Sequence, residues 1–306
     1  MLSPQNNPTT TGIPINIAPK LSLGKVFNQG VETEIAFNKQ ISQDLYVGAS
    51  GTFTYSKNKV IAMDELYRGD DYIYPKRVEG FALGQQFGYK IDWNSPGGGY
   101  FISQDELDQY EYIGNQPRLG DFVYLDLNED GVIDEKDQVP IQYGSIPNLT
   151  YGLTLKSQYK SFDLSVMFYG ANQVSRYFDG FGVTEFAGGI PSFFDFHKNA
   201  WTLERYANGR EIDYPALSSA QTSSAVPNDF YSQNTSYLRL KSLEVGYTIP
   251  ENIVQKMGVG AIRLYFNGQN LWTFDKLFFN HFDPELAGLA VPIPRIMNVG
   301  AQECRS

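Results

Sequence analysis

Hydrophobic and polar residues alternate with a period of two over several long stretches, the pattern of strands with one apolar and one polar face. Val31, Thr33, Ile35 and Phe37 alternate with Glu32, Glu34, Ala36 and Asn38. After a polar link at 39–44, a return strand begins at Leu45, with Val47, Ala49, Gly51, Phe53 and Tyr55 on one face. Leu149, Tyr151, Leu153, Leu155 and Tyr159 form the next apolar row, Lys160-Ser161 makes a tight turn, and Phe162, Leu164, Val166 and Phe168 run back. Leu243, Val245, Tyr247 and Ile249 continue the series. Leu238 and Leu240 fall in the opposite phase, which predicts a bulge near Leu240 to Lys241. Ile262, Leu264 and Phe266 follow, and the last predicted strand is 295–302. Short helical turns are predicted at 103–110 and 251–257.

This makes seven strands, joined alternately by short links (39–44, 160–161, 250–260) and long excursions (58–147, 171–235, 272–293). Short turns at one end and long loops at the other mark an outer-membrane β-barrel, and strands of about ten residues suit a tilted bilayer crossing. On that reading the apolar face meets lipid, and the polar face, with Lys156, Glu244 and Arg263, lines the lumen. The competing reading is a soluble antiparallel β-sandwich whose core is the apolar face. Periodicity alone weighs the two equally; the loop asymmetry tips toward the barrel.

Net charge is −10, which disfavours a nucleic-acid partner. Aromatic residues make up 15%, with 29 Gly, consistent with β-structure and many turns. The single cysteine, Cys304, precludes an internal disulfide, and two histidines, His197 and His281, preclude a multi-histidine cluster. No apolar run approaches the length of a transmembrane helix. The opening Met1-Leu2-Ser3-Pro4 has neither the basic nor the apolar part of a signal peptide.

Within the first excursion, Asp126, Asn128, Asp130, Asp134 and Asp137 occupy positions 1, 3, 5, 9 and 12 of a twelve-residue loop. Gly131 sits at position 6, and Val132 at position 7 offers its carbonyl. That is the ligand spacing of an EF-hand-type Ca²⁺ loop, here without flanking helices and with Asp in place of Glu at position 12. The expectation is a structural Ca²⁺ that orders an excursion with little hydrophobic core of its own.

Four stretches resemble the C-terminal part of the SusC/RagA-type TonB-linked outer-membrane proteins: Gly120 to Asp134; Pro147 to Leu153 with Tyr159 to Ser165; Ser236 to Tyr247, with its Tyr-Leu-Arg-Leu-Lys run; and Phe266 to Trp272 followed by Phe282-Asp283-Pro284-Glu285. They occur in family order. The resemblance implies an all-β fold, a fragment of a 22-stranded transmembrane barrel, of which these are the last seven strands. It also implies a plug and a TonB-contacting segment beyond this chain, a SusD-like lipoprotein lid, import of glycans or peptides across the outer membrane of a Gram-negative cell, and no enzymatic role. Residues 1–24 would be an irregular lead-in, 25–302 the barrel portion and 303–306 an atypical tail, as in a truncated product, because Glu303 and Arg305 fall in the lipid-facing phase.

Tyr177, Phe178, Phe181 and Trp201, with Phe193, Phe194 and Tyr206, form an aromatic-rich stretch that could stack on sugar rings; ordinary loop packing is the alternative. The rival function is a soluble, calcium-stabilised carbohydrate-binding module or glycoside hydrolase, for which Asp70/Asp71 and Glu204/Glu211 are the acidic pairs on offer. Neither histidine has a catalytic setting.

Overall fold

The computed structural model describes residues 3–4, 20–21, 24–65, 77–186, 189–254, 261–286 and 292–304. Seven long strands form one sheet: β1 (Lys25–Gln40), β2 (Leu45–Ala62), β3 (Leu149–Tyr159), β4 (Phe162–Asn172), β5 (Tyr237–Thr248), β6 (Ala261–Asp275) and β7 (Ile296–Cys304). Their order in the sheet is their order in the chain, and every neighbouring pair is antiparallel. The sheet is therefore a simple meander with β1 and β7 at its edges. The register sets Val31 beside Tyr55, Tyr55 beside Leu149, Phe162 beside Tyr159 and Tyr247, and Leu264 beside Tyr247 and Ala301. All the predicted apolar rows thus merge into one continuous face.

Among the described residues, no second sheet covers that face. Ile35 is 69% exposed and Val299 86%, and Phe37, Phe53, Leu155, Leu164, Val245 and Leu264 are exposed as well. A sandwich would bury these side chains, so the sandwich reading does not survive.

The predicted bulge is present. Between the pairs Leu240–Trp272 and Ser242–Gln269, the single residue Lys241 faces two residues, Asn270 and Leu271, and Asn270 adopts φ 52°. On its other side Lys241 is the extra residue, because adjacent Met167 and Phe168 pair with Ser242 and Leu240. This shift returns Leu238 and Leu240 to the apolar face despite their phase in the sequence.

The short links and long excursions lie at opposite ends, as predicted. Short helices occur at Gln104–Asp108, with Ser103 accepting the Glu106 N–H as N-cap, and at Glu251–Val254; residues 255–257 of the second predicted turn lie outside the described residues. β7 runs on through Glu303, which pairs with Ile262, and Cys304, which pairs with Ala261. The predicted end at 302 was too early, because β6 still offers backbone partners there whatever the side chains carry. Of the lead-in, Ser3–Pro4 pairs with Lys20–Leu21.

The expectation of excursions with little core is overturned. The main hydrophobic core lies in them: Tyr89, Ile91, Tyr100, Tyr112, Phe122, Tyr124 and Ile133 from the first, Phe178, Val183, Ala200, Trp201, Tyr214 and Tyr231 from the second, Leu277 and Phe279 from the third. The three excursions pack together as one aromatic cap at the end of the sheet away from the short links.

Candidate functional site

The cap is knitted by polar contacts as well as rings. Gly120, at φ +82°, lies where a Cβ would collide with the Trp201 indole, so the Gly-Asp pair of the first motif places the two excursions in contact. The fully buried Asp121 accepts the Arg118 N–H at 2.9 Å and the Ser223 hydroxyl at 3.1 Å. Burial raises its pKa, an effect that those hydrogen bonds and the nearby Arg118 guanidinium reduce. The Phe122 N–H donates to Ser224 Oγ at 2.9 Å, and the Tyr124 hydroxyl to the Ser223 carbonyl at 2.9 Å.

The acidic loop forms a turn closed on its own backbone. Asp126 accepts the N–H groups of Glu129 (2.7 Å) and Gly131 (2.8 Å). Asn128 accepts the Asp130 N–H and donates its amide to Asp130 Oδ2 at 2.9 Å. Asp130 accepts the Val132 N–H at 3.0 Å, which holds its carboxyl below the usual range. Gly131 makes the sharp turn at φ +84°. Asp134 accepts the Lys136 N–H at 2.7 Å, and the fully buried Asp137 ties the loop ends together by accepting from Leu127 (2.8 Å) and Asp134 (2.9 Å). Positions 1, 3 and 5 therefore gather around Gly131, while position 12 points inward. Among the described residues, no three His, Cys, Asp or Glu side chains form a group arranged to hold a metal.

The aromatic stretch divides. Phe178 and Trp201 are buried in the cap core, Tyr177 packs against it half-buried, and Phe181 is exposed. Phe178 and Trp201 offer little open ring face, and both pack in the cap core. His197 is buried; its Nδ1 accepts the Phe194 N–H at 3.0 Å and its Nε2 meets the Val183 carbonyl at 3.1 Å, which fixes the neutral Nε2–H tautomer. His281 stacks on Phe194 at 4.1 Å. Desolvation lowers both pKa values. Asp70 and Asp71 lie outside the described residues; Glu204 and Glu211 are exposed.

Three arrangements were not legible in the sequence. The first joins two of the family-like motifs. Arg239 of Tyr-Leu-Arg-Leu-Lys, 1% exposed, donates both to Asp283 (2.8 and 2.9 Å) and to Glu285 (2.7 Å), the acids of Asp-Pro-Glu. Its Nε–H reaches Thr273 Oγ1 at 2.9 Å, and Lys241 pairs with Glu285 at 3.0 Å. This clamp fastens the third excursion to the polar face of the sheet. The second is nearer the short links: Arg263 bridges Asp163 and Glu244, with no side chain at Gly246 between them. The third is in the cap: Glu185 accepts the Ser218 N–H at 2.6 Å and the Tyr214 hydroxyl at 3.2 Å, and the Tyr231 hydroxyl lies 3.3 Å from that of Tyr214. Pairs 17 to 100 residues apart leave no periodic signal.

An antiparallel meander with a bare apolar face, a charged polar face and a cap built from the loops of one end defines a wall-and-cap architecture. Comparison with known proteins identifies its relatives. No protein-family model matches the chain. TonB-dependent receptor P3 of Formosa agariphila is 26% identical over 286 residues, 90% of this chain and 26% of its own length. TonB-dependent receptor SusC of Bacteroides thetaiotaomicron is 25% identical over 94% of this chain and 27% of its own. The chain thus spans about a quarter of the length of these curated relatives. A solved RagAB peptide transporter superimposes with a TM-score of 0.66 at 20% identity, over 98% of this chain and 31% of that one, and so shares the fold. The resemblance to the SusC/RagA-type TonB-dependent receptors, carried first by four motifs, therefore holds over nine-tenths of the chain.

Proposed function

We propose that this chain forms seven consecutive wall strands, the C-terminal part, of a TonB-dependent outer-membrane importer of glycans or other oligomeric nutrients such as peptides. The observation that carries the reading is the apolar face: it is continuous across all seven strands and, among the described residues, has no protein layer against it. Hydrocarbon is the solvent in which such a face is stable, and backbone pairing across the sheet meets the demand for internal hydrogen bonds there. β1 and β7 then pair with further strands of a closed barrel. The short links lie on the periplasmic side and the cap outside the cell, under a SusD-like lipoprotein. TonB acts through the plug-bearing portion of such a receptor. The bridge at Arg263 and the clamp at Arg239 line the lumen, and Phe181 and Phe193 are exposed rings of the aromatic stretch that can meet cargo.

We also infer that the 126–137 loop takes a structural Ca²⁺. Each carboxylate oxygen of Asp126 accepts one backbone amide, and a carboxylate has about four lone-pair sites, so Asp126, Asn128 and Asp130 keep capacity for a hard cation. The cation would cancel their mutual repulsion; the turn itself is already shaped by the amides.

Topology tests the main reading. In the full-length receptor with Cys304→Ser, a cysteine at Phe181 should react in intact cells with a membrane-impermeant maleimide. A cysteine at Ser42 should react only after the outer membrane is opened. Equal labelling of the two, or recovery of the receptor as a folded monomer without detergent, overturns it.

A further inference from the structure

Beside the Glu185–Tyr214–Tyr231 chain, the cap contains a cavity of about 390 Å³. That is within the ~300–1,000 Å³ typical of small-ligand sites. Its polar wall carries the hydroxyl and amide groups of Thr184, Ser218, Ser219, Gln221, Thr222 and Ser224, interleaved with the apolar Pro215, Ala216, Ala220 and Ala225. Two carboxylates, Asp179 and Glu185, also line it, and among the described residues no lysine or arginine does.

Glu185 is the unusual member. It is 8% exposed, and among the described residues no cation pairs with it; its donors are the Ser218 backbone amide and the Tyr214 phenol, whose single proton also lies 3.0 Å from the Val183 carbonyl. A buried carboxylate normally has a counter-ion or a full set of hydrogen bonds. Here two donors leave about two lone-pair sites over. Hydroxyl donors from a ligand in the cavity would complete the set. Desolvation raises the pKa values of Tyr214 and Tyr231, with the nearby Glu185 charge adding to the effect on Tyr214, so the phenols stay protonated. Phe186 adds an apolar surface to the same wall. Convergent hydroxyls, an amide, carboxylates without cations and a ring are complementary to a neutral sugar residue, and the two carboxylates repel an acidic one.

We propose that this cavity binds one neutral sugar residue of an oligosaccharide and selects against uronate-bearing or sulfated glycans, with Glu185 as the central acceptor. The proposal rests on the importer reading and adds the site and the charge of its cargo.

The test is calorimetric titration of the detergent-purified full-length receptor with neutral oligosaccharides of glucose, galactose, mannose and xylose, and with an oligogalacturonate of equal length. At least one neutral series should bind, and the uronate should bind at least tenfold more weakly. Glu185→Gln should weaken neutral binding about tenfold. Because Glu185 also holds Ser218 and Tyr214, Ser219→Lys is the second variant: at an exposed wall position, it should narrow or reverse the preference against uronate at low salt. The idea is overturned by uronate binding best to the unaltered receptor, by no neutral series binding, or by both variants keeping the parent's affinities and preference. The maleimide pattern at Phe181 and Ser42 depends on neither variant, so failure here is distinguishable from failure of the importer reading.

Discussion

The sheet and the cap solve the hydrophobic problem in opposite ways. In the sheet, apolar side chains are regular, aligned and exposed; in the cap, they are irregular, mostly aromatic and buried. A face that is greasy but bare requires a lipid solvent, whereas an enclosed cluster of rings is stable against water. Within one chain, therefore, the part with the clearest secondary structure leaves most of its apolar face uncovered, and the part with little secondary structure holds the main core.

The contrast is tested most severely at the seam between the two regions. Arg239→Ala should destabilise the receptor by ~3–5 kcal/mol, because it leaves the Asp283 charge buried and unpaired. Chemical unfolding in detergent measures this, and the double change with Asp283→Ala should recover part of the loss. Phe122→Ala, at a fully buried cap position, should cost about 3–5 kcal/mol as a cavity. If it costs no more than trimming exposed Ile35 to Ala, the cap is not a core.

On the sheet side, Val166→Arg places a charge on the apolar face between Leu155 and Leu243. In lipid bilayers it should cost ~2–4 kcal/mol, the range for charge near the midplane of a barrel. A neutral effect would place that face against water.

Acidification should loosen the cap and spare the sheet. Desolvation lowers the pKa of His197 and of His281, so the folded state favours the neutral rings. That contribution is present above the unfolded pKa of about 6.5 and is lost as pH falls through the folded values. Near-UV circular dichroism melts between pH 7.5 and 5.5 should show the decline, and His197→Gln with His281→Gln should flatten it. The carboxyl of Asp121, raised by burial, acts with the opposite sign. The smallest effect concerns the acidic loop: 10 mM Ca²⁺ should stabilise the cap by ~1–2 kcal/mol for a Kd near 1 mM, and Asp126→Asn should abolish the gain.

How much of this was legible in the sequence follows the same division. Alternation located all seven strands, and the phase slip at Leu238 and Leu240 located the bulge, because a sheet imposes a fixed period on its residues. The helical turn predicted at 103–110 is present as Gln104–Asp108. No period governs a cap. Phe178 and Phe279, 5.7 Å apart between ring centroids, are about a hundred residues apart in sequence, and only the folded chain reveals that they meet. The same is true of Arg239 with Asp283, although each stood inside a recognisable motif. For Trp201 the sequence offered both sugar stacking and loop packing, because residue type alone does not report which partner encloses a ring.

Because loops from three separate hairpin junctions share one set of interlocked rings, they cannot flap independently. A load on one of them displaces a raft of all three, and the Arg239 clamp is where that raft is moored to the sheet.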